Sequence, residues 1–188
     1  MTPAPAALRR SRLKLLLIMC VFLAPMLAAG VLTFSGWQPS GKAHGLPILP
    51  QRNFAEEPLP VRLENGQWYA WRDEQPRLTL LALAGPDCAS RCLDTLTKLA
   101  AARITLNRNA SRLRLLYLGQ PPAAASAEGL RNYWLLGSDG GGKLAEFRPT
   151  TADSVSALLV ESNGTALSFY PAGFDPTGLR QDLQRVIH

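Results

Sequence analysis

The stretch Leu78–Cys92, LTLLALAGPDCASRC, decides the fold of this 188-residue chain. Its first part, Leu78–Ala84, is a dense apolar run of the length of a buried strand. The Gly-Pro-Asp sequence that follows is typical of a turn, and the apolar residues after Cys92 recur at helical spacing. The sequence therefore predicts a buried strand that passes directly into a helix, with Cys88 and Cys92 at the junction.

The two cysteines lie at the predicted start of that helix, where thiol chemistry is favoured. Backbone N–H groups lack partners there and the helix dipole is positive, and both favour a thiolate over a thiol. A spacing of four residues places Cys88 and Cys92 on one face of the helix. We predict that Asp87 or Ser90 caps the helix. The pair can form a disulfide, bind one soft metal ion or be purely structural, and the residues alone leave these alternatives open.

The N-terminal part of the sequence predicts a single membrane anchor. Residues 15–34 contain no charged side chain, and as a helix they span about 30 Å, the thickness of a hydrocarbon core. Four basic residues precede this run, which by the positive-inside rule keeps the N-terminus in the cytoplasm. We predict a basic cytoplasmic segment (1–14), a transmembrane helix (15–36) and a periplasmic remainder, in a single-pass protein of a bacterial inner membrane. A cleaved signal peptide is the alternative, although the apolar run is longer than a usual signal core.

The charge distribution argues against nucleic acid as a partner. The net charge of +6 includes four positive charges from the N-terminal segment, and the rest of the chain, with 16 basic and 14 acidic residues, is close to neutral. It has no basic stripe interleaved with aromatic residues. The sequence also lacks a Ser–His–Asp grouping, zinc-ligand spacing and a nucleotide-binding fingerprint.

The region before the junction is predicted to hold the domain away from the membrane. Residues 37–60 are rich in proline and glycine and have little periodicity, which predicts an extended linker. We place the folded domain at 61–188, with Gly66–Trp71 as an edge strand.

The region after the junction alternates strands and helices. The predicted order is a helix from Cys88 to about Asn107, a strand at Arg112–Leu118, a weak helix at Ala123–Leu136, a loop at Ser138–Gly142, a hairpin of Ser156–Glu161 and Ala166–Tyr170, and a final helix that begins at Asp175–Pro176. Right-handed crossovers make the first two strands parallel neighbours, and the hairpin extends the sheet antiparallel. The fold class is therefore α/β, with a central mixed sheet and helices on both faces.

This order, with a cysteine pair at the head of the first helix, resembles the thioredoxin fold, a three-layer sandwich. The chain is more specifically similar to the Sco-type cytochrome oxidase assembly proteins, which have an N-terminal membrane anchor and a thioredoxin-like domain with a Cys-x-x-x-Cys motif. That motif is here Cys88 and Cys92. The segments Leu158–Gly164, LLVESNG, and Tyr170–Asp175, YPAGFD, also resemble this family.

The resemblance implies a copper site that is incomplete in this chain. Sco proteins complete theirs with a histidine just before the first hairpin strand, and that position holds Asp153 here. The only histidines are His44 and His188. Two thiolates suit Cu(I), whereas a carboxylate is a hard ligand. A copper site would use Cys88 and Cys92 with a third ligand from either histidine, water or a partner, while thiol–disulfide exchange needs only the two sulfurs.

Three functions follow from the resemblance. The first is thiol–disulfide exchange in cytochrome c oxidase biogenesis, in which Cys88 attacks a partner disulfide, such as the cysteine pair of an oxidase copper site, and Cys92 resolves the product. The second is delivery of Cu(I) to the oxidase. The third is a non-catalytic assembly factor with a structural disulfide, which docks other membrane proteins through an exposed Trp134 or Tyr133. A cis-proline beside the cysteines would support a thioredoxin-like substrate groove, and Pro149 is the nearest candidate.

Overall fold

The structure, a computed structural model, describes residues 5–35, 43–57, 59–120 and 124–187. The chain divides into two units, one that contains helix α1 (Pro5–Phe34) and a compact domain over Ala43–His188. Within α1, the 18 residues of Leu17–Phe34 have a mean hydropathy of 2.4 and form a helix long and apolar enough to cross a membrane. The first part of the predicted linker, residues 37–42, and the candidate ligand His188 lie outside the described residues.

The domain is built on one mixed sheet, which has seven strands in the part of the chain that is described. In chain order these are β1 (Leu46–Pro47), β2 (Val61–Leu63), β3 (Leu78–Ala84), β4 (Leu113–Leu118), β5 (Leu135–Asp139), β6 (Val155–Val160) and β7 (Ala166–Tyr170). Their order across the sheet is β1-β7-β6-β3-β4-β5-β2. The apolar run of β3 is the central strand, parallel to β4 and antiparallel to β6. This pairing and the β6–β7 hairpin confirm the predicted topology.

Helices cover one face of the sheet. They are α2 (Ser90–Ile104), α3 (Ala124–Arg131) and α4 (Pro176–Val186). Their apolar positions are buried in one core against alternate residues of the strands, as helical periodicity requires. The buried leucines of this helical layer are Leu96, Leu99, Leu130, Leu179 and Leu183.

Irregular chain covers the opposite face. We call it the irregular layer, and it comprises residues 48–57, 59–60 and 64–71 together with the short 3-10 helix Ala145–Phe147. Its buried side chains are Ile48, Phe54, Leu59, Tyr69, Trp71 and Phe147. They pack against the residues of β3, β4 and β6 that point away from the helices. The predicted α/β fold with a central mixed sheet in three layers is confirmed. The prediction of helices on both faces is wrong, because in the described part of the chain α2, α3 and α4 lie on one face and this irregular layer covers the other.

The linker prediction is wrong for residues 43–57 and 59–60. Leu46 and Pro47 pair with β7 at the edge of the sheet, and Ile48, Phe54 and Leu59 are buried. The prolines that suggested an extended tether instead punctuate a segment that packs by its few large apolar side chains. The domain therefore begins near Ala43 rather than at residue 61.

Two local predictions are also corrected. The edge strand is β2, which pairs with β5, whereas Trp68 forms only an isolated bridge with Arg62 and is 65% exposed. The segment predicted as a weak helix up to Leu136 ends its helix at Arg131, and β5 follows. Pairing of β5 with both β4 and β2 overrides its weak local strand preference.

Candidate active site

The turn after β3 brings the predicted cysteine site against a second loop of the chain. The Gly85 N–H donates to the Ser154 carbonyl oxygen at 2.9 Å. A Cβ atom at Gly85 would collide with the carbonyl oxygen of Thr151, so only glycine allows this approach. The loop just before β6 therefore lies beside the start of α2.

Cys88 and Cys92 are joined in a disulfide, with their Cα atoms 5.1 Å apart. The two sulfur-bearing residues are buried unequally. Cys92 has no exposed surface and belongs to the core beneath α2, whereas Cys88 is only partly buried at the edge of that core. The exposed surface of the disulfide-bonded pair therefore belongs to Cys88.

The cap of α2 does not come from its own sequence. The N-cap residue is Ala89, and neither Asp87 nor Ser90 makes a capping hydrogen bond, so the local prediction is wrong. The carboxylate of Asp153, in the loop before β6, takes this role. Its Oδ1 accepts from the N–H groups of Ala89 and Cys92, both at 2.9 Å, and its Oδ2 accepts from the Arg91 N–H at 3.1 Å.

Asp153 is held in place by its own backbone. Its φ of 51° lies in the left-handed region, which aspartate tolerates better than most residues. Its N–H donates to the Asp87 carbonyl oxygen at 2.9 Å, which ties the loop to the cysteine turn from the other side. The resemblance to Sco proteins places Asp153 at their histidine position, and this correspondence is the signal in the sequence of its proximity to the cysteines.

The hydrogen bonds keep this carboxylate ionised. The Cys92 N–H has the largest effect and lowers the pKa of Asp153, and the Arg91 and Ala89 N–H groups act in the same direction against the opposing effect of burial. The Arg91 guanidinium lies 3.4 Å from Oδ2 but its side chain is 80% exposed. A fixed negative charge thus lies at the head of α2, beside the disulfide.

The residues present do not fit a copper site of the Sco kind. Both oxygens of Asp153 already accept backbone N–H groups. His44, the candidate third ligand within the described residues, contacts Gly178 of α4 and lies 3.3 Å by its Nδ1 from Oδ1 of Asp182. Among the described residues, His, Cys, Asp and Glu form no group of three that would hold a metal. The two sulfurs are the only soft donors that the described part of this site offers.

The surroundings of the disulfide offer two cavities. A cavity of about 210 Å³ adjoins the cap and is lined by Arg91, Thr95, Asp153, Ser154, Val155, Gly173 and Phe174. An apolar cavity of about 390 Å³ lies between α2 and α3 and includes Leu93 and Tyr133. Of the two aromatic residues predicted to dock partners, Tyr133 is exposed, but Trp134 is buried and packs in the core.

Pro149 does not supply a cis-proline to the site. In the described part of the chain the cis peptide bond is Leu49–Pro50, in the irregular layer.

Comparisons with known proteins agree with this architecture. A family model described as "Transmembrane-like, thioredoxin-like, C-terminal domain" matches residues 78–188, more than half of the chain. A second, described as "Transmembrane-like, N-terminal domain", matches residues 5–36. No curated protein sequence matches the chain.

Solved structures with similar folds include proteins of two kinds. The bacterioferritin comigratory protein of Xanthomonas campestris has a TM-score of 0.54 at 14% identity, covering 77% of this chain and 97% of that chain. Copper-bound ScoI of Arabidopsis thaliana has a TM-score of 0.50 at 15% identity, covering 76% of this chain and 97% of that chain. At such identities the likeness shows the thioredoxin-like fold. With the two family matches, it establishes that the chain is a membrane-anchored member of the transmembrane-like, thioredoxin-like family.

Proposed function

We propose that this protein carries out thiol–disulfide exchange through Cys88 and Cys92. The observation that carries the proposal is the unequal burial of a disulfide at a helix N-terminus, with Cys88 accessible and Cys92 fully buried. An exchange protein needs this asymmetry because one sulfur must meet the partner while the other waits to resolve the mixed disulfide.

The reaction balances with the two cysteines alone. In the reduced protein the Cys88 thiolate attacks a partner disulfide, which forms a mixed disulfide and releases one partner thiolate. Cys92 then loses its proton and attacks the Cys88 sulfur, which breaks the mixed disulfide and releases the second partner thiolate. Two electrons pass to the partner, and the Cys88–Cys92 disulfide is the oxidised product.

The proposed setting is the periplasmic side of a bacterial inner membrane. The basic residues before α1 support a cytoplasmic N-terminus, and the thioredoxin-like domain then lies in a compartment where disulfides persist. The resemblance of the Cys-x-x-x-Cys motif and hairpin to Sco proteins supports cytochrome c oxidase biogenesis as the process. Within it, the cysteine pair of an oxidase copper site is the proposed partner disulfide.

Trapping of the mixed disulfide tests the exchange chemistry. Full-length protein in detergent micelles, with Cys20 changed to Ser, is reduced and then mixed with oxidised glutathione. Cys92→Ser should accumulate a glutathione adduct on Cys88, because the resolving thiol is missing. The matched control, Cys88→Ser, should accumulate at least tenfold less, since a cysteine without exposed surface reacts slowly. Equal labelling of the two variants, or none in either, would contradict the proposal.

The oxidase setting is tested in cells. A strain whose only copy carries Cys88→Ser and Cys92→Ser should lose assembled cytochrome c oxidase while other membrane complexes persist. If the oxidase assembles normally, the exchange partner belongs to another process, and the exchange chemistry is judged by the trapping experiment alone.

A further inference from the structure

The N–H groups at the start of α2 are already hydrogen-bonded to a carboxylate, unlike those of a usual thiol site at a helix N-terminus. Unpaired N–H groups in the first helical turn normally stabilise a thiolate there. In this structure the N–H groups of Ala89, Arg91 and Cys92 already donate to the carboxylate of Asp153. These donors are therefore occupied before any thiolate forms.

The charge of the cap acts in the same direction. Reduction replaces a neutral disulfide by a pair in which one sulfur is readily ionised, and the fixed carboxylate of Asp153 repels that negative charge. The Arg91 guanidinium opposes this effect, but at 80% exposure it is screened by water and contributes little. The Asp153 cap therefore destabilises the reduced form, in which a thiolate can form, and leaves the neutral disulfide form favoured.

We propose that Asp153 is a positioning residue that makes the Cys88–Cys92 couple a reductant, by occupying the N-terminal hydrogen-bond donors of α2 with a carboxylate. The inference rests on the proposed exchange function and adds its direction. A couple whose disulfide form is favoured gives its two electrons to partner disulfides rather than taking them from partner thiols. A second protein dithiol, of lower reduction potential, must then regenerate the Cys88–Cys92 thiols by the same exchange.

The chain contains a matched control for this role. Asp175 also caps a helix, α4, and its carboxylate accepts from the N–H groups of Thr177 and Gly178 at 2.9 and 3.1 Å. That helix carries no cysteine. Loss of the Asp175 charge therefore perturbs a helix cap without changing the equilibrium between the thiol and disulfide forms of Cys88 and Cys92.

The test is the redox equilibrium of the full-length protein in detergent micelles, with Cys20 changed to Ser. Protein is equilibrated in glutathione buffers of graded ratio, thiols are trapped by alkylation, and the reduced fraction is read by mass. Asp153→Asn should shift the equilibrium constant toward the reduced form by on the order of tenfold, about 30 mV for a two-electron couple. Asp153→Ser, a neutral cap, should shift it in the same direction, and Asp175→Asn should leave it unchanged.

The outcomes separate this inference from the function on which it rests. If the wild-type pair exchanges neither with glutathione nor with the stronger reductant dithiothreitol, the exchange function fails. If the wild-type pair equilibrates but both Asp153 variants keep its constant, only the role of Asp153 is overturned. A melting temperature that falls equally in the oxidised and reduced forms of these variants would show a purely structural cap and would also overturn it. A shift toward the disulfide form would reverse the proposed direction.

Discussion

The two faces of the central sheet are covered by different kinds of structure, yet each packs into a buried apolar core. On one face, three helices cover the sheet, and α2 and α4 present leucines three or four residues apart. On the other, the irregular layer uses a few large side chains, among them Phe54, Tyr69 and Trp71, whose rings meet edge to face at about 5 Å.

The irregular layer also satisfies its buried polar groups. The Trp71 Nε1–H donates to the Leu59 carbonyl oxygen at 3.0 Å, and the hydroxyl groups of Tyr69 and Thr79 are hydrogen-bonded at 2.6 Å. Arg52 lies over the rings of Phe54 and Phe147 and forms ion pairs with acidic neighbours. A layer without regular secondary structure is therefore as much a part of this domain as the helices that carry the cysteine site.

Truncation of the chain is the most severe test of whether the irregular layer is needed for folding. A chain of residues 61–188, the boundary that proline content suggests, lacks Ile48, Phe54 and Leu59 and exposes one face of the sheet. We expect it to aggregate or to lack a cooperative unfolding transition, whereas residues 43–188 should unfold cooperatively in urea. Circular dichroism at matched concentrations distinguishes the two chains. A soluble, cooperatively folded 61–188 chain would show that the irregular layer is dispensable.

A pair of core substitutions compares the layers directly. Phe54→Ala in the irregular layer should lower the free energy of unfolding by about 3–5 kcal/mol, and Leu96→Ala in the helical layer by about 2–5 kcal/mol. Both side chains are essentially unexposed, so each substitution leaves a cavity. Urea unfolding of residues 43–188 measures both. A cost below about 1 kcal/mol for Phe54→Ala alone would mean that the irregular layer relaxes like a surface loop.

The difference between the layers also explains what could be predicted from the sequence. The strand of Leu78–Ala84, the helix after Cys92, the hairpin and α4 follow from periodicity and turn residues, and each depends mostly on local preference. The irregular layer has no period, so its burial depends on contacts with strands that lie far away in the sequence. Because no local pattern indicates that burial, its proline content alone predicts an extended linker.

The active site divides in the same way. The cysteine pair and its place at a strand–helix junction are local features of the sequence. The cap is not a local feature, because Asp153 lies more than 60 residues away in the sequence from the N–H groups whose hydrogen bonds it accepts. By contrast, Asp175 caps the helix that it immediately precedes, and the Asp-Pro signal identified the start of α4 correctly.

The smallest effect that we predict concerns the contact between the first residues of the domain and the helical layer. Asp182 of α4 is buried and accepts hydrogen bonds from the N–H of His44 at 2.7 Å and the hydroxyl of Tyr170 at 3.0 Å. The Gly45 N–H and the Arg185 guanidinium also lie within 3.3 Å of its oxygens. Burial has the largest single effect and raises the pKa of Asp182, but the hydrogen bonds from the His44 N–H and imidazole, the Tyr170 hydroxyl and the Gly45 N–H together outweigh it, and the net pKa lies below the usual 3.8.

A lowered pKa fixes the sign of the pH dependence. The ionised carboxylate stabilises the fold above the unfolded-state pKa of 3.8, and this contribution is lost as the pH falls through the lower pKa of the folded state. Asp182→Asn should therefore cost about 1–3 kcal/mol at pH 5, and the difference from wild type should shrink between pH 4 and pH 3. The control Asp94→Asn removes an exposed i,i+4 pair with Lys98 and should change stability by less than about 0.5 kcal/mol at either pH. A difference for Asp182→Asn that stays constant down to pH 3 would assign its stabilising effect to packing rather than charge.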